Sequence, residues 1–392
     1  MSCNVQLFVA SWRFWPVTTP PKRGRLLPKL VTLGLAFSLG LVAAEFDWTL
    51  PKGFPRPDVP IDNPMNVAKV ELGRFLFYDK RMSVNGRESC GSCHRQELAF
   101  TDRRAHAKGT TGQIHPRSAM SLVNVAYAPS LTWANPTLDL LEEQALIPML
   151  SQDPIELGLK GHEAEFLNTI KNDHVYKDLF PRVFPGRGEI YTLQNVTKAI
   201  AAFERSLVSV RSPYDRYRWG GDMSAISDSA KRGEILFSSS ERGGCFQCHG
   251  GWNFSAIRFE GSRDRDARGD LRGGFFNTGV SLYPPPNRGL YERTLRPEDI
   301  GKFRAPSLHN IALTAPYMHD GSLTTLEEVI DHYAAGGRMD HPNKSRILRP
   351  FHLTEADKRD LIEFLRCLTD EELLHDPRWT DPWVEASSRE RQ

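Results

Sequence analysis

Two pentapeptides, "CGSCH" at 90–94 and "CFQCH" at 245–249, each set two thiols three positions apart with a histidine directly after the second. That spacing suits covalent haem attachment. The thiols add across the two vinyl groups as thioethers, and the adjacent histidine then lies under the iron as an axial ligand. Redox disulfides and zinc sites also use paired cysteines, but neither requires a histidine after each pair. Cys90, Cys93, Cys245 and Cys248 are therefore read as attachment points, His94 and His249 as proximal ligands, and two haem c groups as the cofactors. A third stretch, "APYMHDGSLTTLEEVIDHYAAGG" at 315–337, offers four further candidates for iron: Met318, His319, His332 and Tyr333.

The elements that must hold these residues repeat along the chain. "ELGRFLFYD" (71–79) precedes the first motif and "KRGEILFSS" (231–239) the second, so that Gly73 with Phe77 corresponds to Gly233 with Phe237. Each half closes on a helical period, Ile200, Phe203 and Leu207 in one and Leu361, Phe364 and Leu368 in the other. A helix on either side of the haem is how a cytochrome c encloses its cofactor. The expected fold is mainly α, with two cytochrome c-like haem domains in tandem, long loops and little β. "SPYDRYRWGG" (212–221) reads as the linker, with domains at 45–215 and 222–392.

With 392 residues, 40% of them hydrophobic and 25% charged, the chain can bury two ordinary cores. A net charge of +2 argues against nucleic acid as a partner. The mixed-sign run "SRDRDARGDLR" (262–272) reads as a solvated loop. At the start, basic "KRGRLLPK" (22–29) leads into the apolar run "LVTLGLAFSLGLVAA" (30–44), which is short for a membrane span and ends in small residues. Residues 1–44 are read as a signal peptide cleaved near Ala44, leaving a periplasmic chain with no membrane span. Cys3 departs with it. Cys367 is expected to be a buried thiol in the last helix.

The segments "LGRFLFYDKRMSVNGRESCGSCH", "AFTD", "LEEQALIPMLSQDPIELG", "GKFRAPSLHNIALTAPYMHDGS" and "LEEVIDHYAAGG" resemble the di-haem cytochrome c peroxidase and MauG superfamily over nearly all of the mature chain. The resemblance implies that hydrogen peroxide reacts at the N-terminal haem. Glu156 matches the distal glutamate that moves protons during O–O cleavage, Gln144 the distal glutamine, and Pro148 the proline shaping that pocket. Glu142 and Glu143 have no such match and read as surface carboxylates. His106 and His115 lack the glycine-flanked setting of the histidine that blocks this site in many relatives, so an open, five-coordinate haem is expected. Trp133 matches a tryptophan that relays charge between the haems, although Ala-Asn-Pro follows it where the peroxidases have Asp-Gly-Arg. Thr314 and Pro316 match carbonyl ligands of an inter-haem calcium. The usual asparagine ligand is replaced by Ser118, which weakens that site.

In the peroxidases the second haem takes a methionine fourteen residues after the histidine of the "PY-x-H" motif. That histidine is His319 here, and the fourteenth residue on is Tyr333. Val329, Ile330 and Tyr333 share one helical face, His332 points about 100° away, and Met318 reads as packing. A hard, anionic phenolate stabilises higher oxidation states, whereas a thioether favours reduced iron. The resemblance therefore narrows to the tyrosine-ligated branch, which holds MauG and the MbnH-type enzymes, with "LTWANP" and "QALIPMLSQDPIELGL" closer to the latter. It implies a peroxide-driven, high-valent, bis-Fe(IV)-type state that oxidises a tryptophan on a small exported partner protein. MauG places a surface tryptophan just before its second motif. None stands there in this chain, and Trp252 just after the motif is the candidate substitute. The alternatives are a peroxidase fed by a small donor cytochrome, and a non-enzymatic di-haem electron carrier.

Overall fold

Each attachment motif follows a helix whose glycine lets a second helix approach to backbone contact. The computed structural model describes residues 46–128, 130–255 and 274–384; the signal segment and the charged run at 262–272 lie outside them. Among the described residues, seven helices have nine residues or more. They are α1 (Val67–Tyr78), α2 (Glu163–Asn172), α3 (His174–Val183), α4 (Leu193–Arg205), α5 (Asp228–Ser238), α6 (Leu326–Ala334) and α7 (Glu355–Arg366). One antiparallel strand pair, β1 (Phe275–Phe276) with β2 (Phe303–Arg304), is the sheet among the described residues. The protein is mainly α, as the sequence predicts.

The helix starts are written locally. Asn66, Thr192, Ser227 and Thr354 each accept a backbone N–H of the first turn, capping α1, α4, α5 and α7. Thr354 and Asp357 complete a reciprocal capping box on α7.

Helices α1 and α4 pack together in the first half, and α5 and α7 in the second. A Cβ at Gly73 would overlap the carbonyl oxygen of Ala199 and lie 2.9 Å from Phe203 Cβ. A Cβ at Gly233 would overlap the carbonyl of Asp360 and lie 2.7 Å from Phe364 Cβ. The Gly-Phe repeat of the sequence is thus a repeated helix crossing. Phe77 meets Phe203 at 5.0 Å between ring centroids, and Phe237 meets Phe364 at 5.2 Å.

Two hydrophobic clusters follow. The first gathers α1 to α4 around Leu76, Phe77, Tyr176, Phe180 and Phe203. The second gathers α5, α6 and α7 around Phe237, Phe254, Ile330 and Phe364. Residues 373–383 cross back to the first cluster. Leu373, Leu374 and Trp379 are buried in it, the Tyr78 hydroxyl donates to Trp379 O at 2.8 Å, and Trp383 Nε1–H donates to Phe75 O at 3.0 Å.

Two expectations need correction. Part of the expected linker is a short helix, Pro213–Arg218, with a Ser212–Asp215 capping box. The Tyr214 ring is buried against Phe254 and Phe364, so this stretch belongs to the second core. Cys367 is half-buried and caps the C-terminus of α7. No helix among the described residues is long and apolar enough to cross a membrane.

Candidate active site

Both motif histidines are fixed through Nδ1. His94 Nδ1–H donates to Phe100 O at 2.9 Å, and His249 Nδ1–H donates to the carbonyls of Phe254 and Pro306, both at 3.1 Å. A carbonyl can only accept, so the tautomer is set and Nε2 keeps its lone pair for a metal. Burial pushes the pKa of each histidine down, which holds the imidazole neutral. Phe100 and Phe254 both adopt positive φ, 59° and 48°, turning each loop back toward its own histidine. Such backbone is costly for an aromatic residue and persists because the rings are buried in the two cores.

Of the expected distal residues, Glu156 is the one whose charge reaches the first motif. Gln144 ends the short helix Leu141–Gln144, and Pro148 lies in the next, Leu146–Leu150. The segment after them folds back, with Leu157 N–H donating to Pro148 O and Leu159 N–H to Met149 O, both at 2.9 Å. That return places half-buried Glu156 where its charge is felt by the thiols of both Cys90 and Cys93. Burial alone pushes the Glu156 carboxyl up to about 7. A carboxyl near 7 can both take and give a proton at neutral pH.

The second motif opens on a cavity of about 200 Å³. Cys245, Cys248 and His249 line it together with Val329, Ile330 and Tyr333, the three residues expected on one face of α6. Met318 and His319 line it as well. His332 is turned away, its Nε2–H donating to Thr278 O at 3.0 Å. Burial, and after it the nearby Cys248 and Cys245 thiols, push the Tyr333 phenol pKa up. His319 is pushed down to about 4 by burial, and the charges it feels are those of Asp320, Arg117 and His106 instead. Its ring stacks on Phe303.

Trp133 stands in the wall between this cavity and a smaller one that also holds Ser118, Thr314 and Pro316. Its Nε1–H donates to Ser118 O at 2.9 Å. The Ser118 hydroxyl donates to Met318 O at 3.2 Å. Trp252 packs into a separate aromatic group with Phe54 and Tyr127, at 4.3 and 4.6 Å between centroids. Of the two loop histidines, His106 is exposed, and Nδ1 of half-buried His115 accepts the Arg117 amide.

Sequence reasoning missed two features. Arg304 is 8% exposed, lines both cavities and, among the described residues, has no carboxylate partner; there its Nη2 meets only the sulfur of Met120, and Nε has no partner. Burial pushes it down to about 10. Glu142 is no surface carboxylate: it is half-buried and paired with Arg205 at 3.0 Å. Neither has a local signal, since a single Arg or Glu ordinarily marks solvent.

Haem c fits this donor set. Four half-buried cysteines are unpaired with one another, with both motif histidines presenting Nε2. An isolated buried guanidinium beside the second motif suits a propionate. A buried phenol resists ionisation unless a cation compensates, and ferric iron is such a cation. His94 and His249 would hold the irons from below, the four cysteines would carry the thioethers, and Arg304 would meet a carboxylate. The groups would supply reversible one-electron chemistry and an iron able to bind peroxide.

Residues 67–223 match the family described as di-haem cytochrome c peroxidase. A cytochrome-c peroxidase of Denitromonas iodatirespirans is 36% identical, covering 85% of this chain and 91% of that protein. The methylamine utilization protein MauG of Methylorubrum extorquens is 34% identical, covering 84% and 86%. Among solved structures, a MauG-like protein associated with microbial copper homeostasis superposes with a TM-score of 0.80 at 43% identity, covering 86% of this chain and 99% of that one. The two attachment motifs, the fold and these likenesses converge, and the chain belongs to the di-haem cytochrome c peroxidase and MauG family of haem oxidoreductases.

Proposed function

We propose that the protein is a periplasmic enzyme that uses hydrogen peroxide to oxidise a tryptophan on a small exported partner protein. The observation that carries this reading is Tyr333, which lines the same cavity as Cys245, Cys248 and His249. A phenolate ligand to a haem held there would favour storage of oxidising equivalents over acceptance of electrons. Each haem would have its own domain, 45–215 and 222–392, except that Tyr214 packs into the second core and residues 373–383 return to the first. His94, Cys90 and Cys93 would hold the haem that binds peroxide. Glu156 takes a proton from the near oxygen and returns it to the leaving one, and Gln144 and Pro148 shape that space. Trp133 lies on the route between the haems. Thr314 and Pro316 would offer carbonyl oxygens to a calcium, at a site weakened by Ser118 in place of the usual asparagine.

A second reading, a peroxidase reducing hydrogen peroxide with electrons from a donor cytochrome, draws on the cytochrome-c peroxidase at 36% identity. Reaction of the all-ferric protein with one equivalent of peroxide separates the two. An immediate spectral change supports the first reading. A requirement for prior reduction of one haem would replace it with the second.

A further inference from the structure

Glu142 lies on the four-residue helix Leu141–Gln144, two positions before Gln144. A helix that short has no stability of its own and takes its place from what anchors it. Leu141 supplies an apolar anchor against Val125, Leu131 and Ala201. Glu142 supplies the polar one. Its Oε1 accepts from Asn63 Nδ2 at 2.6 Å and from Arg205 Nη2 at 3.0 Å, and its Oε2 accepts from the same Nη2 at 3.1 Å. The side chains of Glu142 and Arg205 are only 14% and 4% exposed.

The anchor extends to both helices that frame the first motif. Arg205 is the last residue of α4, and its Nη1 reaches back to Ala201 O at 3.4 Å. Lys69 of α1 donates through Nζ to Asn63 Oδ1 at 2.8 Å and to Pro64 O at 2.7 Å. Asn63 also donates to Lys198 O of α4 at 2.9 Å. A buried carboxylate holding three such bonds is rigid, and its removal would leave two donors unsatisfied.

We propose that Glu142, clasped by Arg205 and Asn63, is a positioning residue that sets Gln144 and Pro148 over the first haem site. The Leu157-to-Pro148 backbone bond carries that placement on to Glu156. The inference rests on the reading above, in which peroxide reacts at His94. Misplacement of a reacting group by about 1 Å costs roughly a hundredfold in rate.

The test uses the holoprotein in four forms: wild type, Glu142→Gln, Arg205→Lys, and Glu143→Gln as the exposed neighbour. Haem content, melting temperature, azide affinity of the ferric protein and the rate of the peroxide-driven spectral change are measured on each. Two haems should remain attached throughout, with Glu143→Gln within about twofold of wild type in rate. Glu142→Gln should slow the peroxide step at least tenfold and alter azide affinity, with Arg205→Lys between them, by roughly the cost of a displaced catalytic group. A Glu142→Gln protein that reacts within twofold of wild type, with azide affinity unchanged, overturns the proposal even if it melts earlier. Should Glu142→Gln fail to fold, Arg205→Lys decides by the same criteria. Wild type that ignores peroxide would instead overturn the reading of the first haem site.

Discussion

The ring of His319 lies flat on that of Phe303, 3.6 Å between centroids and 15° from parallel. This stack fixes the imidazole at the wall of the second cavity and makes its role separable from that of Tyr333. His319→Gln is expected to keep the second haem low-spin, whereas Tyr333→Phe should convert it and abolish the peroxide-oxidised state while sparing attachment. Electron paramagnetic resonance of the ferric proteins distinguishes the two, and a low-spin Tyr333→Phe protein would remove Tyr333 as a ligand.

Glu156 acts as a base only when ionised, and burial holds its carboxyl at about 7. The peroxide step should therefore slow about tenfold per unit as pH falls below 7 and level off above it. Glu156→Gln should remove that pH dependence along with most of the rate. Stopped-flow traces between pH 5 and 9 would show it, and a flat wild-type profile would exclude Glu156 as the base.

Adding one methyl group at either crossing glycine forces two helix backbones apart. Gly73→Ala and Gly233→Ala should each cost about 3 kcal/mol or more, the upper range for overpacking a core. The loss is expected to be local, Gly73→Ala reducing haem attachment at Cys90–Cys93 and Gly233→Ala at Cys245–Cys248. Tryptic mapping of haem peptides measures each separately; equal loss at both motifs would contradict two separate crossings.

A buried cation beside a haem, even one meeting a propionate, raises the energy of the ferric charge. Arg304→Gln should lower the midpoint potential of the second haem by roughly 50 mV, about 1 kcal/mol for one electron. Spectroelectrochemical titration reads it, and an unchanged potential would place Arg304 away from the cofactor.

What the sequence reveals follows from periodicity and fixed offsets. The Gly73–Phe77 and Gly233–Phe237 repeat is legible because a helix crossing imposes the same four-residue spacing twice. Tyr333 is singled out by its fourteen-residue offset from His319, which the family resemblance supplies, and its helical face agrees with that choice. Glu142 is not, since its partner Arg205 stands 63 positions away and nothing near Glu142 announces burial. Arg304 hides for the same reason inside a two-residue strand. Residues 213–218 read as a linker because proline, aspartate and arginines suggest solvent, yet Tyr214 turns that stretch into core.

The return of residues 373–383 has a bearing on how the protein is made. Leu373, Leu374 and Trp379 complete the wall around Tyr78, beside the first thioether site, and they are translated after both attachment motifs. The first motif is therefore synthesised long before the residues that complete its surroundings, and the first core closes only on the last described segment of the chain.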